Sequence, residues 1–130
     1  MSKILLDTNA YTNLMTGDTA VLDILSNAET VIMSVIVLGE LLCGFKRGTK
    51  ERQNKNRLDA FLEKPTVKIL PVSNETSEFF ALVKHNLKTA GTPLPINDVW
   101  IAAASLESGA LLVTFDSHFE KVAGLRVMKL

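Results

Sequence analysis

The sequence predicts an α/β fold with a five-stranded, mostly parallel sheet and helices on both of its faces. Short β-branched or leucine-rich runs alternate with helix-length segments along the whole chain, the pattern of a sheet covered on both sides. No internal repeat, low-complexity tract or linker interrupts that alternation. A length of 130 residues suits one domain with one core, so residues 1–130 are read as a single unit.

Ser2 to Leu6 reads as a short buried strand. Thr8 and Asn9 then supply small polar side chains for a turn or a helix cap. From Asp18 to Ala28 the apolar positions Ala20, Val21, Ile24, Leu25 and Ala28 follow helical spacing. Thr30 to Met33 is β-branched and short, a second strand. Ser34 is placed to cap a helix over Val35 to Cys43, with Gly44 as its stop. The β-branching there also suits a strand, but a strand from Thr30 to Leu42 is too long for a small domain.

Thr49 to Glu63 is polar, with Leu58, Phe61 and Leu62 near its end, and reads as a largely exposed helix before Pro65. Thr66 to Leu70 is a third strand. Glu75 to Ala90 carries Phe79, Leu82, Val83 and Leu87 at amphipathic spacing, and Gly91 ends it. Pro93 and Pro95 make Thr92 to Ile96 a loop. Asn97 to Ser108 is an Ala-rich helix closed by Gly109. Ala110 to Thr114 is a fourth strand and Leu125 to Met128 a fifth. Gly48 to Asn56 is the one candidate for a mobile segment.

Composition narrows the function. Fourteen basic and fourteen acidic residues cancel, so any footprint for nucleic acid must be local. The lone Cys43 has no internal disulfide partner, which fits a reducing cytosol. Its neighbours Leu41, Leu42 and Phe45 suggest a buried, inert thiol. Only Ile4 to Leu6 precede the first acid, too short for the apolar part of a signal peptide. No run approaches a membrane span. A soluble, cytoplasmic protein without a membrane partner is expected.

Four acids fall at element boundaries: Asp7 after the first strand, Glu40 within an apolar helix, Asp98 at a helix start and Asp116 after the fourth strand. In an α/β sheet these positions gather at one edge, where ligands bind. Four carboxylates there repel one another unless a cation joins them. A hard divalent metal with oxygen ligands is the economical explanation. Singly, Asp7 and Asp98 also read as caps, and Asp116 as a turn residue. Glu40 is hardest to explain otherwise, because an unpaired carboxylate among Val37, Leu38, Leu41 and Leu42 is costly; pairing with Lys46 is the alternative. Thr8, Asn9, Ser34 and Thr114 could orient waters or carboxylates around the ion, or simply cap helices and turns. His118 could touch substrate, and His85 reads as surface. Neither belongs to a His/Cys cluster for a soft metal.

Lys46, Arg47, Lys50, Arg52, Lys55 and Arg57 crowd one segment against Glu51 alone. Lys46, Arg47 and Lys50 are candidates for contact with a phosphate backbone beside the acids. A solvated helix face accounts for the same run equally well.

The motifs Leu6-Asp7-Thr8-Asn9, Gly39-Glu40-Leu41, Asn97-Asp98 with Ile101-Ala102-Ala103, and Thr114-Phe115-Asp116-Ser117-His118 resemble those of PIN-domain ribonucleases. More narrowly they look like the VapC toxins of type II toxin–antitoxin pairs. The resemblance covers the chain from end to end. It implies a PIN-like three-layer α/β/α fold and an endoribonuclease using Mg²⁺, or Mn²⁺, to activate water. It makes Asp7, Glu40 and Asp98 the invariant acids and Asp116 the variable fourth. It implies structured RNA, tRNA or rRNA, as substrate, with products bearing a 5′-phosphate and a 3′-hydroxyl. The partners it implies are a cognate antitoxin, a second copy in a homodimer, and operator DNA only through the antitoxin. Phe115 stands where the family often has Asn or Arg. A phosphoacceptor receiver domain is a poor rival, because Pro71-Val72-Ser73 leaves no acid at the end of the third strand. A non-catalytic module acting with its antitoxin on operator DNA is the other; it leaves four intact acids unexplained.

Overall fold

The structure is a computed structural model, and it describes residues 2–130. Five strands form one sheet: β1 Lys3–Leu6, β2 Thr30–Ser34, β3 Val67–Leu70, β4 Leu111–Thr114 and β5 Val127–Lys129. Their order is β3-β2-β1-β4-β5, and every neighbouring pair is parallel. The first strand is therefore central, with Leu5 opposite Ile32 on one side and Leu112 on the other. Successive strand residues face opposite sides of a sheet. Ile4, Leu5 and Leu6 are all buried, so both faces of β1 are covered.

Six α-helices supply that cover: α1 Thr8–Met15, α2 Thr19–Asn27, α3 Val35–Arg47, α4 Glu51–Leu62, α5 Asn74–Ala90 and α6 Ile96–Ser108. Their starts follow from local chemistry. The carboxylates of Asp7 and Asp18 cap α1 and α2, and the Ser34 hydroxyl accepts from the Ile36 N–H at 3.1 Å. Ser73 and Thr76 form a reciprocal capping pair on α5. Gly109 closes α6 at φ 70°, a left-handed conformation that suits glycine. Within α6, Ala102, Ala103 and Ala104 are buried, and small side chains there let the helix lie close to its neighbours. Phe80 of α5 stacks on Trp100 of α6 with ring centroids 3.9 Å apart.

The structure departs from the sequence reading at several places. Thr8 and Asn9 are the first residues of α1 rather than a turn, and Asp7 is the cap. That helix escapes notice because Thr and Asn are weak helix formers. The third helix does not stop at Gly44; it runs to Arg47 and ends at Gly48. Gly44 keeps helical dihedrals, and buried Leu41 with partly buried Phe45 holds the helix across it. Cys43 is exposed, because it lies across the helix from buried Val37 and Leu41. A 3₁₀ turn over Ser117–Lys121 was not anticipated, and β5 sits nearer the end than expected. Within Gly48 to Asn56, the chain is helical from Glu51 onward. Among the described residues no helix is long and apolar enough to cross a membrane.

Ala102→Leu adds three heavy atoms where the side chain is fully buried, and should cost about 1–3 kcal/mol by overpacking. Urea denaturation should register this as a lower midpoint. An unchanged midpoint would mean that α6 is not tightly seated.

Candidate active site

The strand order makes β1 and β4 neighbours although they come from opposite ends of the chain. From β1 the sheet grows outward through β2 and β3, then resumes on the other side with β4 and β5. In such sheets ligands bind in the crevice where the order reverses, outside the carboxyl ends of the strands, here β1 and β4. Asp7 directly follows β1, and Asp116 lies two residues beyond β4.

Asp7 is 5% exposed. Its Oδ1 accepts the Ala10 N–H at 2.8 Å, which is the cap of α1. Its Oδ2 accepts the hydroxyl of Thr114, a fully buried residue at the end of β4. The same Thr114 oxygen accepts the Asp116 N–H at 3.0 Å. One hydroxyl therefore ties the acid of the first strand to the backbone of the acid after the fourth. The register that sets Leu6 beside Val113 brings them together.

Asp116 caps the 3₁₀ turn, its Oδ1 accepting the His118 N–H at 3.0 Å. The His118 ring then bridges two acids, with Nδ1 2.9 Å from Asp116 Oδ1 and Nε2 2.9 Å from Asp98 Oδ2. Asp98 reaches this point from the first turn of α6. Glu40 approaches from α3. It accepts the Thr8 hydroxyl at 2.5 Å and the Asn97 side-chain amide at 3.2 Å. These two polar groups, not Lys46, satisfy it; Lys46 pairs with Glu51 at 3.0 Å.

Like charge is concentrated here. Burial raises the Asp7 carboxyl above its ordinary value, and the charges of Asp98 and Asp116 push the same way. Hydrogen bonds from Thr114 and Ala10 oppose the rise. Burial also raises Asp98, with Glu40 and Asp116 adding to it, while the charge and hydrogen bond of His118 pull it down. Asp98 is thus linked to each of the other acids: Glu40 and Asp116 raise it, and its own charge raises Asp7. A ligand atom from each of Asp98, Asp116 and His118 lies within 4.8 Å of the others. Two carboxylates and an imidazole at this spacing, with the carboxylate of Asp7 nearby, are a donor set that fits a divalent cation.

The four acids named from the sequence are all brought to this edge, and Thr114 is joined to two of them. Ser34 is buried and caps α3, and Asn9 contributes only a backbone carbonyl, to the Asn13 amide. Of the basic residues, Arg47 lines a cleft with Glu40 and Asn97. Lys46 lies in a separate groove with Leu42, Phe45 and Arg52, and Lys50 precedes α4. His85 is on the surface. Sequence reasoning missed the bridging place of His118 and the hold of Asn97 on Glu40. No periodicity connects residues 20 or 57 positions apart; the adjacency of Asn97 to Asp98 was the available signal.

The PIN domain family profile matches residues 4–125. Ribonuclease VapC2 of Rickettsia felis is 30% identical over 105 residues, spanning 80% of this chain and 77% of that protein. Ribonuclease VapC4 of Mycobacterium tuberculosis is 29% identical over 96 residues, 74% of each. Among solved structures, VapBC2 of Rickettsia felis bound to a DNA fragment from its promoter superposes with a TM-score of 0.88. That match covers 98% of each chain at 26% identity. Fold, site geometry and relatives agree: the chain belongs to the PIN-domain family, among its VapC ribonucleases.

Proposed function

We propose that this chain is the toxin of a type II toxin–antitoxin pair, a Mg²⁺-dependent endoribonuclease that cuts structured RNA, tRNA or rRNA, in the cytoplasm. The observation that carries this reading is the meeting of Asp7, Glu40, Asp98 and Asp116 outside β1 and β4. Asp7, Asp98 and Asp116 would hold the cation, and Glu40 would hold its water. A divalent ion bound there supplies charge neutralisation on the scissile phosphate and a more acidic water.

This chain's residues do the remainder. The Thr114 hydroxyl and the Ala10 N–H each hold one Asp7 oxygen, which fixes the orientation of that carboxylate. Thr8 and Asn97 do the same for Glu40. His118, lodged between Asp98 and Asp116, restrains both carboxylates. In the reaction a water oxygen bonds to phosphorus and the bond to the 3′-oxygen breaks. The water gives up a proton and the 3′-oxygen gains one, leaving 5′-phosphate and 3′-hydroxyl ends.

An antitoxin partner is supported by the relative's complex, whose name pairs VapB with VapC on promoter DNA. From the family resemblance we infer a homodimer within the complex, meeting operator DNA only through the antitoxin.

Incubation with total cellular RNA should yield discrete fragments with Mg²⁺ and none with EDTA or with Asp7→Ala. Equal cleavage in every lane would sink the proposal. A second expectation concerns stability. Asp7 and Asp98 have raised carboxyl values in the fold, so their ionisation destabilises it. Their penalty is absent below the ordinary carboxylate range and grows as pH rises through the raised values. Mg²⁺ binds the ionised forms and should raise Tm at neutral pH, an effect fading as the solution is acidified. Differential scanning fluorimetry on wild type and Asp98→Ala tests this. Equal Mg²⁺ shifts in both proteins would place the ion elsewhere.

A further inference from the structure

One face of α3 continues the acidic edge into a cleft of about 430 Å³. Ile36, Glu40, Cys43 and Arg47 stand at steps of four, three and four residues, a single stripe of the helix. Gly39 of the same helix and Asn97 of α6 also line it. Three features of this cleft bear on what it could hold.

Gly39 sits inside a helix, where glycine is less favourable than alanine. Nothing lies within 4 Å of a Cβ placed on it, so packing does not demand its small size. Arg47 has no carboxylate partner among the described residues, although Lys46 and Lys55 nearby are both paired. Ile36 is only half-buried, leaving an apolar wall open beside these polar groups. Seven residues of helix separate Glu40 from Arg47, about 10 Å along the axis. A free cation, backbone without a side chain and an apolar surface, on the helix that carries Glu40, match a phosphate, a sugar and a base.

We propose that this cleft binds the nucleotide next to the scissile phosphodiester. Its base lies against Ile36 over the bare backbone of Gly39, and a phosphate farther along the strand meets the Arg47 guanidinium, about 16 Å from Ile36 along the helix axis. This subsite rests on the ribonuclease reading of the adjoining acids and deepens it. It supplies the positive charge that draws RNA toward an edge otherwise lined by carboxylates.

Cys43 makes the proposal measurable. It is the chain's one cysteine, it is exposed, and it lines the cleft. Its reaction with a thiol reagent such as DTNB reports occupancy without any cleavage. The experiment uses a short single-stranded oligoribonucleotide in EDTA, with affinity measured by fluorescence polarisation. Bound RNA should slow Cys43 modification in wild type and in Lys88→Ala, a surface control on α5. The protection should be lost in Gly39→Leu and in Arg47→Ala. Arg47→Ala should also lower the slope of log affinity against log salt by about 0.7, one phosphate contact. Modification of wild type at one rate with and without saturating RNA would overturn the subsite. So would equal protection by polyglutamate, which would mark general anion binding. Cleavage of total RNA with Mg²⁺ is scored separately. Protection without cleavage leaves the subsite standing and removes the ribonuclease reading; cleavage without protection does the reverse.

Discussion

The arrangement depends on how one carboxylate, Asp7, is kept at the end of the central strand. Leaving water is costly for such a group. The fold answers with two directed hydrogen bonds, one from the start of α1 and one from the end of β4. The first makes Asp7 the residue that turns the chain from strand into helix. The second makes it a clamp between strands that are remote in sequence. A side chain used twice for structure is thereby left aimed and immobile at the crevice.

The same economy runs through the surrounding acids. Asp116 shapes the 3₁₀ turn that returns His118 to it. Asp98 sits in the first turn of its helix, where a negative charge is welcome. Glu40 is held by a hydroxyl and an amide instead of a cation. Each acid thus has a local reason to be where it is. Together they still repel, and burial with that repulsion raises Asp7 and Asp98. Local satisfaction with collective frustration is what a cation site requires. His118 relieves part of the repulsion at Asp98, and a cation arriving from outside would relieve more.

Most of the fold was legible because parallel strands buried on both faces read as short unbroken apolar runs. Leu111 to Thr114 and Thr30 to Met33 needed no tertiary information. Asp7 and Asp116 were legible for a related reason, since a charged residue after such a run marks a strand end, whereas Glu40 stood out as a charge inside an apolar helix and Asp98 as an acid at a helix start. What escaped was governed by packing rather than by local preference. Gly44 looks like a stop, yet the helix continues because Phe45 packs beyond it. Cys43 looks buried among leucines, yet it stands on the face that α3 turns outward. The bridge of His118 between Asp98 and Asp116 joins parts of the chain that no periodicity relates.

The place of β1 at the middle of the sheet has a bearing on synthesis. The Thr114 hydroxyl that holds Asp7 comes from a residue 107 positions later. Chains are made from the amino end at roughly 5–20 residues each second. The first strand made is therefore the one that waits longest for its second neighbour. Until β4 has left the ribosome, Asp7 has neither the hydroxyl that aims it nor Asp116 beside it. A nascent or truncated chain has no assembled acidic centre. The site is therefore completed only when nearly the whole length of the chain has been made.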